Sequence, residues 1–133
     1  MVGAAFAPAE GEVLAGRYRV ERVLGGGGMG VVVAAVDARS GQRVALKLMH
    51  AHEARNAIAV ERFDREGRAA SRLSSEHTLR VLGVERTAEG RPFMVMELLE
   101  GEDLGKRLKA SGPLPAAEAA RYIRHAALAC AEA

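Results

Sequence analysis

The sequence is poor in the residues that staple, stack or span. A single cysteine, Cys130, excludes an internal disulfide and fits a reducing compartment. There is no Trp and only 4% of residues are aromatic, which leaves little for a base-stacking surface. The formal net charge of +2 gives no strong attraction to nucleic acid or to an anionic membrane. No apolar run approaches the ~20 residues that a membrane span requires. Residues 1–10 lack both the basic start and the long apolar core of a signal peptide. These absences predict a cytoplasmic chain with no nucleic-acid partner and no membrane segment. What is left, 133 residues at 49% hydrophobic and 27% charged, suffices for one domain that buries about two-thirds of its unfolded surface.

Glycine, by contrast, is concentrated. The stretch Leu24-Gly25-Gly26-Gly27-Gly28-Met29-Gly30-Val31-Val32 contains G-x-G-x-x-G-x-V, with Gly25, Gly27 and Gly30 at the glycine places and Val32 at the valine. Lacking a Cβ and tolerating positive φ, such a loop can lay bare backbone N–H groups against a bulky anion. On its own the pattern is equally a flexible turn. The flanking segments decide. A dinucleotide-binding fingerprint needs a helix directly after the glycines. Here Val31-Val32-Val33-Ala34-Ala35-Val36 reads as a strand, 37–41 as a turn, and 42–49 as a second strand. The glycines therefore sit in a strand–loop–strand hairpin, and Lys47 lies on the strand that follows.

The remainder supports an α+β arrangement. Residues 1–16 are rich in Ala, Gly and Pro without a period and read as a flexible tail. Residues 17–24 alternate and feed the glycine loop as a strand. From 54 to 73 the period becomes helical, and Ala59, Phe63, Glu66 and Ala70 fall on one face, which places Glu66 with the apolar side. An isolated glutamate there would otherwise be read as a surface partner for a nearby arginine. Two further strands, 79–86 and 92–97, flank a turn at Gly90 and bring the count to five. A short helix opens near Leu104 with Asp103 as its cap, and 111–115 break it. A last helix runs from Ala116, with Pro115 suited to its first turn. Ala116, Ala120, Ile123, Ala127 and Cys130 form its narrow apolar seam, with Cys130 expected to be buried.

Gly25 to Val32 followed by Val44-Ala45-Leu46-Lys47 resembles the glycine-rich loop and V-A-I-K strand of the protein kinase family. The Gly-Gly-Met-Gly wording most resembles bacterial Ser/Thr kinases. The resemblance covers about 17–133. It implies a protein-kinase-like small lobe, a five-stranded antiparallel sheet with one packed helix, at 17–97. At 98–133 it implies the hinge and first two helices of a large lobe, truncated before the catalytic loop. It further implies ATP as ligand, protein Ser or Thr hydroxyls as acceptors, and Mg²⁺ in a complete kinase. By the same resemblance Gly25, Gly26, Gly27, Gly28, Met29, Gly30 and Val31 cover the phosphates, and Leu24, Val32 and Ala45 wall the adenine. Lys47 holds the α/β-phosphates and pairs with Glu66 of the family's αC helix. Met96 is the gatekeeper, and the Glu97 carbonyl and Leu99 N–H bond the adenine edge.

The sequence also departs from the family. The 133 residues hold no H-R-D-x-x-x-x-N and no D-F-G, and none of Asp37, Asp64 and Asp103 stands in such a setting. Losing the catalytic base alone costs ~10²–10⁴ in rate, so the chain by itself is expected to be catalytically inactive, with no ligands for Mg²⁺. ATP binding is expected to be no tighter than about 0.1–1 mM. Val33 stands where many relatives carry an aromatic, and 74–78 replace the usual His-Pro-Asn. The seam of the last helix is expected to face water or a partner. An alternative reading is a stand-alone small-lobe module that regulates a partner kinase; a third is a decayed reading frame. His50 and His52 lack a Cys or carboxylate at zinc-site spacing, so no metal site is expected there.

Overall fold

A computed structural model describes residues 7–28 and 30–133. The chain divides into two compact units, one reaching to Arg72 and resuming over Arg80–Leu98, the other made of Leu73–Leu79 and Leu99–Ala133. Among the described residues no helix is long and apolar enough to cross a membrane.

The first unit is a curled antiparallel sheet with one helix. Its strands are β1 (Val13–Leu14), β2 (Tyr18–Gly26), β3 (Gly30–Asp37), β4 (Arg43–Met49), β5 (Val81–Arg86) and β6 (Pro92–Glu97), in the order β1-β2-β3-β4-β6-β5. The sheet therefore has six strands and not five. The extra one, β1, falls within the stretch expected to be a tail, where Val13 and Leu14 pair with Arg19 and Tyr18. Two residues are too short for any alternation to show, and the pairing comes from the edge that β2 offers.

β3 is rich in β-branched residues because both of its faces are covered; six of its eight residues are buried. β4 lies between β3 and β6, so Lys47 stands beside Val32 on one neighbour and Met94 on the other. One sheet face gathers Val20, Val31, Val33, Val44, Leu46, Leu48, Phe93 and Val95 into a core. The other gathers Ala45, Met49, Met94 and Met96 with Phe63 of helix α1 (Ala57–Ser71). The β3–β4 turn is organised by Asp37. Its carboxylate accepts from the Arg39 N–H at 3.0 Å, the Ser40 hydroxyl at 3.0 Å, and the Arg17 guanidinium at 2.7 and 2.8 Å. The Arg17 pairing holds the Asp37 carboxyl well below the usual carboxylate range.

Helix α1 opens on Asn56, whose side chain accepts from the Ile58 and Ala59 N–H groups at 3.0 and 3.3 Å. It packs on β5 and β6 through Phe63 and Gly67. A Cβ on Gly67 would lie 2.3 Å from Val84 Cγ2, so only glycine lets the helix approach this closely. Arg86 of β5 donates twice to Asp64, at 2.9 and 2.5 Å, and ties the same flank. Because the helix settles on Gly67, its inward stripe runs through 59, 60, 63, 67 and 70, and Glu66 is exposed. The expectation that Glu66 points with the apolar side is corrected accordingly.

The second unit holds helices α2 (Leu104–Ser111) and α3 (Ala116–Glu132). Asp103 caps α2, as expected, accepting from the Lys106 N–H at 2.8 Å. Pro115 takes the N-cap position of α3 with an extended ψ of 144°. The loop over Leu73–Leu79 is held by Glu132, whose carboxylate accepts from the Ser74 N–H, the Ser74 hydroxyl (2.7 Å) and the Ser75 N–H (2.8 Å). The α3 seam faces outward, as expected, with Ile123 70% exposed; Cys130 on it is exposed too, against the expectation that this cysteine is buried. The half-buried stripe is instead Glu118, Ala119, Tyr122, His125 and Ala129. Its polar members have partners. The Tyr122 hydroxyl receives from Arg107 and donates to Glu118, and His125 stacks on His77 with centroids 4.0 Å apart.

Candidate phosphate-binding cleft

The hairpin of β2 and β3 carries the glycines, and the register Gly26↔Val31 closes it. Gly30 begins β3 against β4, where a Cβ would stand 2.0 Å from the Leu48 carbonyl oxygen. That end of the loop is therefore fixed by backbone packing. At Gly25, Gly27 and Gly28 the place of a Cβ is open space, so the loop presents bare backbone. The tip is closed by the Gly27 N–H donating to the Gly30 carbonyl at 2.9 Å.

Beneath the loop lies a cleft of about 540 Å³ lined by Leu24, Gly25, Gly26, Gly27, Gly28, Gly30, Val32 and Lys47. One flexible cation faces a row of side-chain-free backbone, a donor set that fits a phosphate chain. Ala45 and Met96 are buried opposite each other across β4 and β6, on the sheet face that Val32 shares. Glu97 is fixed at the end of β6 by a reciprocal pair. Its N–H donates to the Arg80 carbonyl at 3.0 Å, and its carboxylate accepts from the Arg80 N–H at 2.9 Å.

Within the first unit, not every expected residue joins this cleft. Val31 turns to the other side, into the core, and lines a second space of about 600 Å³ behind the loop with Val23, His50 and His52. Leu99 belongs to the second unit and is 67% exposed. Met29 lies outside the described residues. Lys47 is half-buried and Glu66 exposed, and among the described residues no ion pair joins Lys47 to a carboxylate. No group of three or more His, Cys, Asp or Glu among the described residues is placed to hold a metal ion. His50 has a different role: its Nε2 lies 2.8 Å from the Gly27 carbonyl oxygen. Sequence reasoning weighed this histidine only as a metal ligand, because its spacing from Gly27 carries no signal.

Residues 18–131 match the protein kinase domain family. The chain belongs to that family. This kinase segment is similar to the serine/threonine-protein kinase PknA of Mycobacterium tuberculosis, 38% identical over 113 residues covering 82% of the chain. It is likewise 38% identical over 114 residues to the serine/threonine-protein kinase PknH of Mycobacterium bovis. The crystal structure of the M. tuberculosis PknI kinase domain superposes with a TM-score of 0.77 at 30% identity over 92% of the chain. The kinase segment spans 26% of PknA, 19% of PknH and 49% of the PknI domain structure. The expected kinase-like fold, small-lobe sheet and large-lobe helices included, is the one observed.

Proposed function

We propose that the first unit is the ATP-binding part of a Ser/Thr protein kinase, whose whole protein transfers the ATP γ-phosphoryl to protein Ser or Thr hydroxyls. The observation that carries this reading is the cleft beneath the glycine loop, with Lys47 as the cation inside it. In this reading the loop backbone and Lys47 bind the phosphates. Leu24, Val32 and Ala45 form apolar walls for the base, and Met96 limits the depth behind it. Glu66 meets Lys47 only when α1 rolls its exposed edge toward the sheet, so their pairing belongs to another state of the helix. The catalytic base and Mg²⁺ ligands of the family lie on segments that these 133 residues do not contain, and the chain alone is proposed to be inactive.

Replacing Lys47 tests the assignment. Lys47→Ala is expected to weaken ATP binding about tenfold, the worth of one charge-assisted contact, while the fold stays intact by circular dichroism. Unchanged ATP affinity in a folded variant would remove Lys47 from the phosphate site.

A second reading, a module acting on a partner kinase, is favoured by one observation. Leu104, Leu108, Ile123 and Leu128 are all large apolar residues exposed on the second unit.

A further inference from the structure

The glycine loop separates two spaces. On its inner side is the cleft with Lys47; on its outer side is the space lined by Val23, Val31, His50 and His52. Gly25, Gly26, Gly27 and Gly28 line both, so this backbone is a partition one peptide thick. Such a strip of glycine has many accessible peptide orientations, and an anion site needs one of them. The outer side supplies a fixing point. His50 follows directly on β4, and its Nε2 meets the Gly27 carbonyl oxygen at 2.8 Å. A carbonyl oxygen only accepts, so Nε2 carries the proton in this bond. The His50 ring lies nearly parallel to that of His52, with centroids 5.5 Å apart and 15° between planes, which orients the donor.

The peptide after Gly27 is planar and trans, so its N–H points opposite to its C=O. With the Gly27 carbonyl held toward the His50 side, the Gly28 N–H is turned to the Lys47 side. We infer that His50 is a positioning residue for phosphate recognition: it fixes the Gly27–Gly28 peptide so that the Gly28 N–H faces the cleft. β4 thereby sets both poles of the site, Lys47 within the cleft and, three residues on, the anchor of the loop that covers it. The inference rests on the nucleotide-binding reading above.

The test compares two ligands on the purified chain by NMR titration, ATP and adenosine, because only ATP engages the loop peptides through phosphate. His50→Ala is expected to lose about threefold to tenfold in ATP affinity, one hydrogen bond's worth, with adenosine unchanged. His50→Phe keeps an aromatic ring beside His52 without a donor and is expected to match His50→Ala. His50→Gln restores a donor and is expected to recover most of the loss. The Gly28 amide resonance should shift on adding tripolyphosphate to the parent chain and stay still in His50→Phe. An ATP-to-adenosine affinity ratio unchanged in His50→Phe overturns the inference, as does an equal loss for both ligands, which would mark a merely structural histidine. Lys47→Ala separates this from failure of the nucleotide reading. If Lys47→Ala weakens ATP and the His50 variants do not, only the role of His50 falls; if Lys47→Ala changes nothing, both fall. Should His50→Ala not fold, the Phe and Gln variants decide.

Discussion

A methyl group on Gly67 would gain helix propensity, about 1 kcal/mol over glycine in a helix interior. It would also stand 2.3 Å from Val84 Cγ2 and 3.4 Å from Met94 Cε, a contact that something must relieve. Overpacking of this kind costs about 1–3 kcal/mol, so the clash wins. Gly67→Ala is expected to destabilise the protein by about 1 kcal/mol in urea denaturation, and Val84→Ala to offset part of that loss in a double-mutant cycle. Additive effects of the two substitutions would remove the contact as the cause. This residue also explains why the orientation of Glu66 was hidden in the sequence. Counting apolar positions at helical spacing gives glycine no weight, yet here a missing side chain draws the helix down and decides which stripe is buried. That Lys47 and the loop glycines line one cleft is legible for the opposite reason: the hairpin that joins them is set by residue type and short spacing, both visible in one line of sequence.

Helices and strands differ in how far their patterns could be read. β3, β4 and β6 were placed closely because buried, β-branched runs between turn residues have few other uses. α3 runs where its period predicts, and its apolar seam faces outward as expected; what the period does not reveal is the stripe that packs. Its packed stripe includes Glu118, Tyr122 and His125, polar residues that bury part of their surface because Arg107 satisfies the first two and His77 stacks on the third. An apolar-periodicity argument selects Ala116, Ile123 and Cys130 instead, and these face outward. α1 starts three residues later than the expected 54, because Asn56 caps it and serves two of the four N–H groups that a helix leaves unpaired. Asn56→Ala is expected to cost about 1 kcal/mol and Asn56→Asp to be nearly neutral, read from thermal melts.

Across the molecule the two units carry different acid sensitivities. In the second, burial and then the charge of His77 and the neighbouring Arg121 and Arg124 hold the His125 imidazole below its ordinary value, against a smaller pull from Glu76. Its folded form resists a proton that the unfolded chain accepts, so the stability it contributes is complete above ~6.5 and declines as pH falls below that. In the first unit the depressed titration of Asp37 gives a contribution complete above about pH 4 and lost only in stronger acid. Amide exchange followed residue by residue is therefore expected to show α3 and 73–79 loosening between pH 7.5 and 5.5, while β3 and β4 stay protected. Equal loosening in both units would contradict the assignment. The membership of 73–79 in the second unit has no sign in the sequence. That loop lies between a helix and a strand of the first unit, yet Glu132, 57 and 58 residues further on, takes up its Ser75 and Ser74 donors. During synthesis, then, the sheet and α1 have all their partners once residue 98 has emerged, while the loop in their midst waits for the far end of α3. The first unit would close early while this segment is still unfinished, and the segment would stay open to a protease or a chaperone until α3 has formed.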